Sequence, residues 1–359
     1  MRYLHPKALF DGQKLLNHAV LAIEDDIVVE IVPISAIPSD TSVEHLNSLI
    51  TPGLFDIQVN GGGGVMLNNA PTRDGVRRIA QTHNALGTAY LLPTVITDRP
   101  EIMEKAAQAV AAELGQNGVL GIHIEGPHIN PTHKGTHDPA FIRPFDDKTM
   151  SVLEQLRQEQ VPVLLTLAPE TVEPGLIARL TAMGIVVSAG HSAATAEETR
   201  RALSEGLRCF THLFNGMPPM TSRAPMITGA AINSAVWCGI IADGHHVDDD
   251  MIALATRARP VPHRMILVSD AMSTVGGPDQ FDLYGETIRV QDGRLVNAQG
   301  SLAGAHITLA GAVTRMIHNV GIPISDAARM ATTNPFDMMQ LKRPEMTGQT
   351  VGTLGHISF

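Results

Sequence analysis

Four side chains, far apart in the 359-residue sequence, have the types and settings for hydrolytic chemistry: Glu125, His191, His212 and Asp270. Glu125 ends an apolar run over 119–124 and is followed at once by Gly126-Pro127, which stops a strand. A carboxylate delivered by a buried strand is costly unless a cation meets it. His191, in Ser188-Ala-Gly-His-Ser192, and His212, in Thr211-His-Leu-Phe-Asn-Gly-Met217, also stand at the ends of apolar runs. One carboxylate and two imidazoles suit a divalent ion such as Zn²⁺ and leave a position for water. Taken singly, each histidine could equally be a satisfied core or rim group. Asp270, in Val268-Ser-Asp-Ala-Met272, is an acid that could take a proton from an attacking water and return it to a leaving group; a structural ion pair or helix cap is the alternative. His137, in Lys134-Gly-Thr-His-Asp-Pro139, could donate to a carbonyl or developing oxyanion, or be an exposed loop residue.

An anion site is harder to find. The run Gly61-Gly-Gly-Gly64 reads as a loop that bends rather than a phosphate cradle. Better candidates are the backbone amides of Asn215-Gly216, with Arg223 and His246. His128 and His133 read as rim or loop residues with no assigned role, and the residues alone give His245 none either.

These groups need a frame that gathers strand ends. From residue 52 onward, apolar runs of strand length lie at 53–59, 89–96, 119–124, 161–167, 185–189, 207–213, 236–242 and 265–268. Helical periodicity fills 74–86, 100–115, 147–159, 171–183, 195–206 and 248–258, the fifth opened by a capping box, Thr195 with Glu198. Such alternation predicts a parallel sheet sheathed in helices, and eight strands predict a (β/α)8 TIM-type barrel; an open doubly wound sheet is the rival. In a barrel, catalytic groups belong at the C-terminal ends of the strands. Those ends hold Gln58 and Asn60, Glu125, His191, His212, Asp243 with His245 and His246, and Asp270, so they should face one mouth. After the eighth strand, 281–296 reads as a β-hairpin turning at Asp292-Gly293, followed by helices near 306–320 and 324–333. Residues 1–50 read as β structure, with a hairpin turn at Asp25-Asp26 and a linker through Pro33, Pro38, Ser39 and Asp40. That segment is too small to stand alone and should pair with the last twenty residues, so 1–50 plus 340–359 form the small domain and 51–339 the barrel.

Composition bounds the rest. A formal net charge of −10 disfavours nucleic acid or an anionic membrane surface as partner. Hydrophobic residues are 44% but aromatics only 4%, so aliphatic side chains and methionine must fill the core. Cys209 and Cys238 sit in apolar runs and read as reduced core residues. With no signal segment and no 18-residue apolar stretch, a cytoplasmic location is expected.

The motifs quoted above, together with Pro52-Gly-Leu-Phe-Asp-Ile-Gln-Val-Asn-Gly61, Gly121-Ile-His-Ile-Glu-Gly-Pro-His128 and Ile241-Ala-Asp-Gly-His-His-Val247, closely resemble N-acetylglucosamine-6-phosphate deacetylases of the amidohydrolase superfamily. The match runs in order from about residue 10 to about residue 335, which is far more specific than any one motif. The resemblance implies a metal-dependent barrel with a small β-sandwich built from both chain ends. It implies that Glu125, His191 and His212 bind the metal and that Asp270 is the acid/base, releasing acetate from the N-acetylamino sugar phosphate. It implies that Thr136, His137, Asn215, Gly216, Arg223, Asp243, Gly244, His245, His246, Leu302, Ala303, Gly304 and Ala305 line the sugar-phosphate site. It also implies a homodimer or homotetramer that shares part of the phosphate site between subunits. Many superfamily relatives carry His-x-His on strand one and bind two metals; here the place reads Gln58-Val-Asn60, and amides are poor ligands for zinc. One ion per subunit is therefore expected, Zn²⁺ first, with Fe²⁺, Mn²⁺ or Co²⁺ as alternatives. The family pattern continues past Gly352-Thr-Leu-Gly355 into further strands, whereas this chain stops at Phe359, so a smaller terminal sheet is expected. The alternatives in function are a deacetylase for the galactosamine epimer, an amidohydrolase of another substrate such as a cyclic amide, and a barrel that binds a sugar phosphate without turnover.

Overall fold

The computed structural model describes residues 1–358; Phe359, the last residue of the predicted C-terminal segment, lies outside the described residues. Eight parallel strands, in sequence order around one sheet, form the barrel: β1 (Phe55–Val59), β2 (Tyr90–Ile96), β3 (Ile122–Glu125), β4 (Val163–Leu167), β5 (Val186–Ala189), β6 (Cys209–Phe210), β7 (Trp237–Ile240) and β8 (Met265–Leu267). Side chains alternate with period two along each strand. On β3, Ile122 and Ile124 join the large apolar cluster under the helices, which leaves His123 and Glu125 facing the lumen. On β4, Val163, Leu165 and Leu167 face the helices, while Leu164 joins Phe55, Ile57, Leu92, Trp237 and Ile266 inside. That parity turns Glu125 towards the mouth.

The ring is joined where β1 meets the segment after β8. Val59 bridges Ala271, and the Asn60 N–H donates to the Ala271 carbonyl at 2.9 Å. Asp56 reinforces this seam from inside: its fully buried carboxylate accepts the backbone N–H of Gln58 at 3.1 Å and that of Ser269 at 3.2 Å. Burial pushes the Asp56 carboxyl up to about 7. Its folded value lies above the unfolded 3.8, so its contribution to stability is complete below about pH 4 and is lost as pH rises through 7. The full shift is worth at most about 4 kcal/mol. Urea midpoints measured from pH 5 to 8 are therefore expected to decline more steeply in the wild type than in Asp56→Asn. Parallel curves would exclude Asp56 as the group responsible.

Helices alternate with the strands much as their periodicity predicts: Arg73–Ala85, Pro100–Glu113, Asp147–Gln158, Ala196–Ser204 and Asp249–Ala258. The capping box forms as read, with Thr195 accepting from the Glu198 N–H and Glu198 from the Thr195 N–H. Three local details differ. The helix expected over 171–183 is a 3-10 turn, Pro169–Thr171, then Leu176–Ala182, because Pro174-Gly175 interrupts it. A further helix, Met226–Ile232, fills the β6–β7 connection. A third C-terminal helix, Thr333–Met339, puts Phe336 against Phe55 and Tyr90 at the opposite end from the mouth.

The chain ends meet in one mixed sheet. Arg2–Phe10 pairs antiparallel with Ala19–Glu24 and parallel with Val43–Thr51, and Gly355–Ser358 adds antiparallel to Val43–Thr51. Asp25 and Asp26 both take positive φ (50° and 64°), as the two-residue hairpin turn requires. After β8, the expected hairpin is a three-stranded antiparallel sheet, Gln280–Leu283, Glu286–Gln291 and Arg294–Val296, with its second turn at Asp292-Gly293. Among the described residues, no helix is long and apolar enough to cross a membrane.

Candidate active site

At the C-terminal mouth of the barrel, Glu125, His191 and His212 converge. One ligand atom from each lies within 4.8 Å of the others. Glu125 Oε1 is 3.2 Å from His191 Nε2 and 2.9 Å from His212 Nε2, and the two imidazole nitrogens are 3.1 Å apart. All three side chains are buried. Tetrahedral ligands about 2.0–2.1 Å from an ion stand roughly 3.3 Å apart, close to this spacing.

The donor set fits a cation on an independent ground. His191 Nδ1 lies 2.8 Å from the His133 carbonyl, which can only accept, so the proton of the neutral ring is on Nδ1. The Nε2 lone pair then faces the Glu125 carboxylate and the second imidazole, and such a cluster holds together only around positive charge. The electrostatics agree. Burial opposes the Glu125 carboxylate, yet the two imidazoles hold it well below the ordinary range. Burial likewise disfavours a charged His212, yet Glu125 raises it above the usual histidine value. Gly216 and Gly135 crowd the His191 ring: a Cβ on Gly216 would stand 2.8 Å from its Nδ1.

Asp270 stands across the same pocket. Its Oδ1 accepts from Asn60 Nδ2 at 2.6 Å and from Gln58 Nε2 at 3.2 Å, which leaves Oδ2 as the uncommitted oxygen. Gln58 also donates to Glu125 Oε1 at 3.1 Å. The two amides that replace His-x-His thus offer N–H donors to the carboxylates. Burial, and then the Glu125 charge, push Asp270 up to about 6. His191, His212 and Asp270 all have positive φ (47°, 27° and 50°), where the chain turns sharply off its strand.

The pocket is walled further by Gly135, Thr136 and His137 of the β3 loop, by Asn215 and Gly216, by His246, and by Leu302 and Gly304. Ala303 and Ala305 are buried behind it, and the Ala305 N–H donates to the Asp270 carbonyl at 3.0 Å. Asp243 does not line the pocket but holds His246, whose Nδ1 is 2.7 Å from Asp243 Oδ2. Burial opposes that carboxylate, and His246 draws it down to about 2. Gly244 stands at φ +80°, a left-handed backbone that favours glycine. His245 and Arg223 are exposed, and neither reaches the pocket. His128 is not at the rim: it is buried, between the Arg143 carbonyl and Thr149 Oγ1. His133 acts through its carbonyl, a contribution that no side-chain pattern could reveal. Thr97, which touches His137, was also not anticipated.

A parallel barrel with a buried carboxylate–imidazole cluster at its mouth and an acid opposite defines the metal-dependent hydrolase barrels as a class. The chain belongs to the amidohydrolase family, whose model matches residues 49–344. It is 38% identical over 351 residues to the N-acetylgalactosamine-6-phosphate deacetylase of Shewanella sp. (strain ANA-3), covering 94% of this chain and 87% of that one. It is 30% identical to the N-acetylglucosamine-6-phosphate deacetylase of Haemophilus influenzae, covering 91% and 87%. The N-acetylglucosamine-6-phosphate deacetylase structure from Pasteurella multocida superposes with a TM-score of 0.87 at 29% identity, covering 98% of this chain and 93% of that one. A variant of the Mycobacterium smegmatis enzyme, in complex with N-acetyl-D-glucosamine-6-phosphate, gives 0.87 at 28% identity, covering 97% and 93%.

Proposed function

We propose that the protein hydrolyses the N-acetyl group of N-acetylglucosamine 6-phosphate, giving glucosamine 6-phosphate and acetate. The observation that carries this reading is the convergence of Glu125, His191 and His212 opposite Asp270 in a pocket that also contains His137. Glu125, His191 and His212 would hold one divalent ion per subunit, Zn²⁺ before Fe²⁺, Mn²⁺ or Co²⁺. Such an ion supplies positive charge that polarises the amide carbonyl and acidifies the attacking water. Asp270 takes the proton of that water on Oδ2 while Asn60 and Gln58 hold Oδ1. His137 donates to the carbonyl oxygen as negative charge develops there. Asp270 then passes its proton to the departing nitrogen as the C–N bond breaks. Burial and the Glu125 charge raise this acid to about 6 in the chain alone, which strengthens it as acceptor of the first proton, while a bound cation works in the opposite direction and eases the return. Gln58 and Asn60 present N–H donors where a second ion would need lone pairs, so two tightly held ions per chain would contradict this assignment.

The Gly216 amide, with His246, receives the phosphate; the Asn215 N–H, which the sequence also offered, is already given to the His212 carbonyl at 3.0 Å. Arg223 is exposed, and no lysine or arginine lines this pocket among the described residues. We therefore read the phosphate site as completed across a homodimer or homotetramer interface. Residues 51–339 serve as the catalytic domain and 1–50 with 340–359 as the accessory domain, and the enzyme works in the cytoplasm on a small sugar phosphate. A second reading, the galactosamine epimer as preferred substrate, is favoured by the 38% identity to the Shewanella enzyme. Acetate release from both 6-phosphorylated N-acetylhexosamines, before and after chelation, with metal content measured on the same sample, tests both. The glucosamine epimer should give the larger kcat/KM, and chelation should abolish turnover of either. A larger value for the galactosamine epimer would select the second reading, and no acetate from either would end both.

A further inference from the structure

We propose that Thr97 is a positioning residue that fixes His137 as the Nε2–H tautomer, so that the ring nitrogen facing the substrate is always a donor. The proposal rests on the role of His137 given above and explains how that role is secured. Thr97 directly follows β2 and is buried. His137 Nδ1 lies 2.7 Å from Thr97 Oγ1 and accepts the Thr97 backbone N–H at 3.4 Å. A hydroxyl alone would leave the tautomer open, because it donates or accepts. A backbone N–H can only donate, so Nδ1 must carry a lone pair, and the hydroxyl then donates as well. The proton of the neutral ring is left on Nε2. Since Nδ1 is turned onto Thr97, Nε2 is the pocket-side nitrogen of a ring that lines the pocket and packs 4.4 Å from His191.

The surroundings hold Thr97 in this one arrangement. Gly126, at φ +78°, makes room for the hydroxyl: a Cβ there would lie 2.2 Å from Thr97 Oγ1. The Tyr284 hydroxyl, on the three-stranded insertion, donates to the Thr97 carbonyl. Just before Thr97, Asn68 accepts the Ile96 N–H and donates to the Ile96 carbonyl. The residue that sets the tautomer is thus braced from β3, from the insertion and from its own strand. A partner that orients a catalytic or ligating histidine is typically worth ten- to a hundred-fold in activity.

The test uses zinc-loaded enzyme labelled with ¹⁵N-histidine, His137 being assigned by its absence in His137→Gln. The wild-type spectrum should show a protonated Nε2 and a lone-pair Nδ1. Thr97→Val keeps the shape and the backbone N–H but removes the hydroxyl. It should shift part of the population to Nδ1–H and lower kcat roughly ten- to a hundred-fold. KM should stay within about threefold and the metal content should be unchanged. Thr97→Ser should restore both spectrum and kcat. A wild-type His137 protonated on Nδ1 would overturn the proposal, and that measurement stands even if Thr97→Val does not fold. So would a Thr97→Val enzyme within about twofold of wild-type kcat, or a serine that rescues nothing. Full turnover by His137→Gln would instead remove His137 from the reaction, and the use of its tautomer with it, whatever the nitrogen spectrum shows.

Discussion

Asp270→Asn is expected to fold, to retain its metal and to lose turnover by roughly 10²–10⁴-fold, the range for a lost general acid–base. The substitution removes a proton acceptor while keeping the shape and the Oδ1 contacts to Asn60 and Gln58. Because the acid acts twice, first taking the proton and then returning it, kcat and kcat/KM should fall together, and substrate binding should change little. The wild-type profile carries a second sign of the same group. Burial and the neighbouring Glu125 raise Asp270 to about 6 in the chain alone, and a bound cation works in the opposite direction. Activity should therefore rise with pH along an acid limb at or below about 6, and that limb should be missing from the residual activity of the asparagine variant. Metal analysis, single-substrate kinetics and a pH series on the two proteins decide the matter. Near-normal kcat in Asp270→Asn would take the proton transfers away from this residue.

Glu125→Gln should be the more damaging change. Among the described residues Glu125 is the only anion hydrogen-bonded to both imidazoles, and its Oε1 is within 3.2 Å of each. The amide keeps the volume but removes the charge that makes the cluster attract a cation, and it is a weak ligand for zinc. Metal content should drop to background, and turnover by at least about 10³-fold. A ligand that binds only the folded chain stabilises it by about 2.7 kcal/mol at a hundred times its dissociation constant. Adding zinc to chelated wild type should therefore raise the melting temperature, and adding it to Glu125→Gln should not. An equal thermal response in both proteins would place the ion elsewhere.

Much of this was legible in the residues, for identifiable reasons. The eight barrel strands are near-continuous apolar runs because both of their faces are buried, and such runs stand out against amphipathic helices. Strand ends that carry Glu125, His191, His212 and Asp270 break those runs with a charged or imidazole group, which is the strongest signal a sequence can give of a shared mouth. The strand Val43–Thr51 gave a weaker signal, since its first half is largely exposed and lacks clean alternation. The helix Met226–Ile232 is short, contains Gly229 and begins after Pro225 without a side-chain cap, so neither periodicity nor a start signal marked it. Arg223 lies on an exposed loop, and where such a loop carries its side chain depends on contacts that spacing does not encode. Backbone atoms were the least visible of all. The His133 carbonyl and the Thr97 N–H set the tautomers of two histidines; any residue type can supply the first, and any but proline the second.

The left-handed backbone at His191, His212 and Asp270 has a further consequence. Each such residue without a glycine's freedom holds on the order of 1–3 kcal/mol of conformational energy that the remainder of the fold must offset. These three positions are therefore places where glycine or asparagine would relax the chain, and also places where neither can do the work. Selection for heat resistance alone would favour exchanges that silence the reaction at these positions, so lineages that keep it must find their added stability elsewhere in the fold.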